Sequence, residues 1–170
     1  MKRIIILTAL FLILLPVIQT KAKTKIPEPT FEETVETMVR EHKVMLDRLI
    51  AAWEHRQEEI NLLAEVIYHE NWHTDKEHLA AYYTGAVVMN RVNSKAWPDT
   101  VKDVLYQKGQ YSTTKLFFTK EIPAECYEMA RDIYKNGTPD VPANVIFQSM
   151  QKGLGRGHWK VINGEYFAYG

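Results

Sequence analysis

The chain is nearly without cysteine. Among 170 residues only Cys126 carries a thiol, so no internal disulfide is available. It has no excess of charge of either sign, with 21 basic residues against 21 acidic ones. That balance excludes a strongly basic nucleic-acid binder, whose affinity would come from neutralising phosphates. Internal repeats and low-complexity tracts are also missing, and the length predicts one domain plus accessory segments. What is plentiful is aromatic surface, with nine Tyr, four Trp and six Phe. Cys126 lies in the helical stretch Ala124–Ala130 and reads as a small core residue rather than a nucleophile.

One long apolar run is present, at the start. Met1-Lys2-Arg3 is a short positive region, Ile4 to Ile18 is almost continuously apolar, and Thr20-Lys21-Ala22 offers small residues where a signal peptidase reads. The pattern is that of a secretory signal over residues 1–22. An uncleaved membrane anchor is the alternative, although the run is short for a bilayer span of roughly 20 residues. Either way the rest of the chain is expected beyond the cytoplasmic membrane, secreted or attached to the envelope.

Residues 23–57 read as a linker and an amphipathic helix. Thr30-Phe31-Glu32-Glu33 is a capping box. Phe31, Val35, Met38, Met45, Leu49 and Trp53 keep helical spacing after it. Packing on the domain, a stalk or self-association through this helix are all open, and His42 interrupts a heptad seam. Residues 58–170 form the expected catalytic domain. A second helix is predicted over Glu58–Asn71. A third is predicted from about Asp75, behind a second capping box at Thr74-Asp75-Lys76-Glu77, to about Val92, with Gly85 marking close packing. A turn at Trp97–Thr100 and a short helix through Leu105 come next, then an irregular stretch over Lys108–Ser112. A helix over Pro123–Asn136 ends at Gly137. Strands are predicted over Asn144–Met150, Trp159–Ile162 and Glu165–Tyr169, the last two joined by the hairpin signal Asn163-Gly164. The fold class is therefore α+β, mostly helical, with a small antiparallel sheet at the C-terminus.

Tyr68-His69-Glu70-Asn71-Trp72-His73 carries the chemistry, and its one carboxylate fits two reactions. As His-Glu-x-x-His it is a zinc-peptidase signature, with His69 and His73 as ligands and Glu70 as general base. That reading needs both histidines inside one continuous helix. The capping box at Thr74 instead ends the helix near Asn71. A third ligand is also missing, because Lys76 and Leu79 stand where Gly and His would be required. The other reading makes Glu70 a general acid at the end of an apolar helix. Aromatic surroundings and the negative end of the helix dipole both favour a protonated carboxyl there. Glu65, about 140° away around the helix, reads as a solvated surface charge.

From Leu63 onwards the chain resembles the spore-cortex-lytic (SleB-type) cell-wall hydrolase family of bacteria and their phages. Four blocks carry the likeness in order: Leu63–Glu70, Gly85–Val92, Trp97–Val101 and Val104–Ser112. The resemblance implies a compact lysozyme-like (lytic transglycosylase) domain in which Glu70 is the catalytic acid. Asn71–Asp75 replaces the family's usual Ala and Gly-containing turn, which alters the rim of the cleft. The implied reaction is cleavage of the N-acetylmuramic acid–N-acetylglucosamine bond of peptidoglycan, with Glu70 acting as acid and then base. Asp75, Glu77, Asp99 and Asp103 are candidates for a second carboxylate, which keeps hydrolysis open. Candidate sugar contacts are Tyr68, Asn90, Tyr106, Gln110, Tyr111 and Ser112. No metal or other cofactor is expected. Peptidoglycan glycan strands are the expected partner, and nucleic acid is not. A zinc metallopeptidase and a non-catalytic peptidoglycan-binding protein are the alternatives.

Overall fold

Threonine and glutamate side chains start the first helix. The Glu33 amide donates to Thr30 Oγ1 at 3.2 Å, and the Thr30 amide donates to Glu33 Oε2 at 2.7 Å. The computed structural model describes residues 29–170. The expected leader, and the linker up to residue 28, lie outside the described residues. Helix α1 runs Phe31–Asn71 without a break, so the two helices expected there are one. Neither Gly nor Pro occurs between its ends, and Glu54, Arg56 and Gln57 are good helix formers that carry the backbone across the polar stretch. Contacts divide the chain into two compact units, one ending at Val44 and one spanning Met45–Gly170.

Within the second unit the burial of α1 changes at Glu59. Met45, Leu46, Leu49, Ile50 and Trp53 are exposed, whereas Ile60, Leu62, Leu63, Ala64, Val66 and Ile67 are buried. Each large apolar side chain of that second set contributes about 1.5–3 kcal/mol by leaving water. Helix α2, Leu79–Val92, starts later than Thr74-x-x-Glu77 predicts. Both oxygens of Asp75 accept backbone amides instead, from Leu79 at 2.7 Å and Ala80 at 2.9 Å. Asp75 therefore sets the helix start, and the segment between α1 and α2 is a turn.

Helix α2 is buried on most sides. Ala81 and Val88 join a core with α1 and with α4, Ala124–Asn136. Ala80, Tyr83, Ala86 and Val87 join a second core with Val141, Val145 and Phe167. Gly85 is the close approach between the helices: a Cβ there would stand 2.6 Å from Ile133 Cδ1 and 3.1 Å from Ile67 Cδ1. Helix α3, Val101–Leu105, is capped twice. Thr100 accepts from the Asp103 amide at 3.0 Å. Glu59, reaching from α1, accepts from the amides of Val101 at 2.7 Å and Lys102 at 3.2 Å.

The sheet has three antiparallel strands in the order β1-β3-β2, namely β1 Val145–Ser149, β2 His158–Ile162 and β3 Glu165–Tyr169. Asn163 and Gly164 both take positive φ, 47° and 91°, as the tight hairpin turn between β2 and β3 requires. The observed architecture is the expected α+β one: mostly helical, opened by a long helix and closed by a small antiparallel sheet. Among the described residues no helix is long and apolar enough to cross a membrane.

Candidate active site

Helix α1 delivers Glu70 to the wall of a cavity of about 350 Å³. Its other lining residues come from α2 (Arg91), from the segment before the 3-10 turn (Gly109, Gln110, Tyr111), from β1 and the loop behind it, and from the start of β3 (Glu165). Glu70 is half-buried. Thr113, in the 3-10 turn Ser112–Leu116, donates its hydroxyl to Glu70 Oε1. A hydroxyl on one oxygen fixes the plane of the carboxyl and leaves the other oxygen available.

Arg91 is buried and held from several sides. Its Nε donates to Ile146 O at 2.7 Å and its Nη1 to Gln110 Oε1 at 3.1 Å, while its guanidinium lies 4.3 Å from the centre of the Trp97 ring. Burial pulls its pKa below the ordinary arginine value. Tyr111 is 6% exposed, and its phenol finds no partner in the protein. Burial pushes that phenol up to about 12, so it stays a neutral donor. Both amide atoms of Gln148, on the β1 wall, are likewise without protein partners. Unsatisfied polar groups in a cavity wall are costly unless a ligand or water completes them. Tyr111 and Gln148 thus leave a hydroxyl and an amide without protein partners behind the cavity wall.

The expected sugar contacts are only partly brought together. Gln110 and Tyr111 line the cavity with Glu70. Tyr68 is half-buried, packs edge-on against His69 and His73, and carries Lys120 over its ring at 4.7 Å. Asn90 ties α2 to the sheet, donating to Pro142 O and Val145 O, both at 3.0 Å. Tyr106 is exposed and belongs to another groove, with Trp53, Asn61 and Phe118. Ser112 is exposed outside the cavity; its neighbour Thr113 makes the contact to Glu70.

The second carboxylate at the cavity is Glu165, and none of Asp75, Glu77, Asp99 or Asp103 lines it. Asp75 and Glu77 line a larger cavity of about 750 Å³ between the α1–α2 turn and the β2–β3 hairpin. Glu165 is 6% exposed. Burial raises its carboxyl above the ordinary glutamate value, the negative charge of Glu70 adds to the rise, and a hydrogen bond from Asn71 opposes it. A signal for it existed in the sequence. Alternation along β3 puts Glu165 on the face of Phe167, which is wholly buried.

One reading is corrected, and one alternative is disfavoured. Glu65 is not a solvated charge: it is 1% exposed, and His69 Nε2 approaches its Oε2 at 3.3 Å. The ring of His69 stacks on Phe117 with centroids 5.9 Å apart. His73 falls in the turn after α1 and is exposed. One histidine is thus engaged with Glu65 and the other is off the helix. Among the described residues no group of three His, Cys, Asp or Glu side chains is placed to hold a metal ion, which disfavours the zinc reading. Cys126 is fully buried, as a core residue should be, and burial raises its thiol to about 12.

Residues 79–161 match the family model described as Cell Wall Hydrolase. Over that stretch, a little under half of the chain, the sequence is similar to cell-wall hydrolases. The match takes in Arg91, Gln110, Tyr111, Thr113 and Gln148. Glu70 precedes it and Glu165 follows it. No curated protein and no solved structure matches the chain.

Proposed function

We propose that the protein is an exported enzyme that cleaves the glycan strands of peptidoglycan, with Glu70 as acid and then base. The observation that carries this reading is the placement of Glu70. It is half-buried on a cavity wall, oriented by the Thr113 hydroxyl, beside polar groups that lack protein partners. The bond to be cut joins N-acetylmuramic acid to N-acetylglucosamine. Glu70 gives its proton to the bridging oxygen while the C1–O bond breaks and its electron pair stays on that oxygen. The substrate's acetamido group steadies the oxocarbenium-like centre. The Glu70 carboxylate then takes the proton of the sugar's own C6 hydroxyl, whose oxygen closes on C1 to form a 1,6-anhydro ring. One carboxylate suffices for that lytic transglycosylase route.

Hydrolysis is the second reading, and Glu165 favours it. A second carboxyl at the same cavity is the usual equipment of glycosidases that use water. Mass spectrometry of released muropeptides distinguishes the two: anhydro ends mark transglycosylation and reducing ends mark hydrolysis. Glu70→Gln should release far less of either. Sacculi from vegetative cells and cortex from spores, offered side by side, identify which wall is taken. Peptidoglycan left intact in all these assays would overturn the enzymatic reading in favour of a binding protein.

A further inference from the structure

Glu165 is a buried carboxylate that an acid–base cycle run by Glu70 alone leaves idle. Among the described residues ion pairs form only between Glu65 and His69 and between Glu58 and Lys102, so no cation is paired directly with Glu165. Burying a carboxyl without a cation costs stability, and placing it at the same small cavity as another carboxyl adds to that cost. We propose that Glu165 is a second working carboxylate, and that Glu70 and Glu165 act as a pair holding one proton between them. The proposal rests on the reading of Glu70 as the acid and extends it.

Besides the two carboxyls, the cavity wall carries one more charged group, the Arg91 guanidinium, which forms no ion pair with either. From α1 come Glu70 and the Asn71 amide. From α2 comes Arg91, already bound to Ile146 O and Gln110. The segment before the 3-10 turn adds the neutral Tyr111 phenol, β1 adds Gln148 and Ser149, and the β2 residue opposite Glu165 is Ile162. Burial and the charge of Glu70 both favour a proton on Glu165. In such a pair the two ionisations belong to the pair rather than to either residue.

During the reaction the pair's proton passes to the bridging oxygen as the C1–O bond breaks. The bond electrons stay on that oxygen. The pair, now fully ionised, faces the positive centre. The oxygen of a water, or of the C6 hydroxyl, then bonds to C1, and its proton returns to the pair.

Two measurements test this. The pH profile of kcat/KM on purified sacculi should show two ionisations in the wild type and one in Glu165→Gln. The rate of that variant should fall roughly a hundredfold, the lower end of what positioned acid–base groups supply. Glu165→Asp should recover part of the rate and the two-step profile, and an unchanged melting temperature shows that each variant folds. Carboxyl-carbon NMR should show Glu165 titrating at lower pH in Glu70→Gln than in the wild type. A Glu165 titration that ignores Glu70→Gln, or a Glu165→Gln enzyme with the wild-type rate and profile, overturns the pair. Either result leaves Glu70 as the acid if Glu70→Gln is inactive. Coupled titration in a protein that cleaves no peptidoglycan supports the shared proton and removes the glycan-cleaving reading alone.

Discussion

Glu59 and Glu70 stand on the same helix, and both are drawn out of bulk water, yet their oxygens meet different things. Both oxygens of Glu59 accept backbone amides at the start of α3. Glu70 has one hydroxyl on Oε1 and a cavity beside it. Glu65, between them in sequence, faces His69. Withdrawal from water therefore does not distinguish a structural glutamate from a chemical one. What distinguishes them is whether the protein has already used the lone pairs. A saturated carboxylate holds elements together, and an unsaturated one at a cavity can give and take a proton.

Substitutions that strike one glutamate and spare the other sharpen this contrast. Glu70→Gln should lower glycan cleavage by about 10²–10⁴-fold, measured as muropeptide release, with the melting temperature nearly unchanged. Cleavage at wild-type rate would break the contrast outright. Thr113→Val keeps the shape and removes the hydroxyl. A hydrogen bond to a charged group is worth about 1.5–3 kcal/mol, so kcat/KM should fall by at least about tenfold. Glu59→Ala should do the reverse. It leaves buried amides unpaired, costing about 1–3 kcal/mol in urea unfolding, while folded enzyme cleaves at nearly the normal rate.

The smallest effect expected is on pH dependence. The folded-state pKa of Glu165 lies above its unfolded value, so the native state holds the proton more tightly. Stability contributed there is full below the ordinary glutamate pKa and is lost as pH rises through the raised one. Unfolding free energy should therefore decline across that window, and Glu165→Gln should flatten the decline. A curve of the same slope in both proteins would show that Glu165 carries no such burden.

Local chemistry made much of the fold legible before any tertiary contact was known. The Thr30 capping box and the Asn163-Gly164 turn follow from residues within a few positions of one another, and a glycine inside the helical pattern at Gly85 signalled close packing. Legibility failed at the start of α2. Thr74-x-x-Glu77 predicted a helix from about Asp75, but both oxygens of Asp75 accept amides further on and the helix begins at Leu79. It failed again at Asn90, whose polarity serves the carbonyls of Pro142 and Val145 rather than a sugar. Both carbonyls lie far along the chain and become neighbours only when β1 docks on α2.

By itself the sequence determined the helix-rich α+β plan, the place of Glu70 at a helix end and the core character of Cys126. These depend on periodicity and on residues a few positions apart. Tertiary structure decided which polar atoms remained free. It buried Glu65, set Thr113 rather than Ser112 on Glu70, and brought Glu165 to the Glu70 cavity from the far end of the chain. Whether a lone pair is spent depends on which distant backbone arrives beside it, and that is known only once the elements have packed.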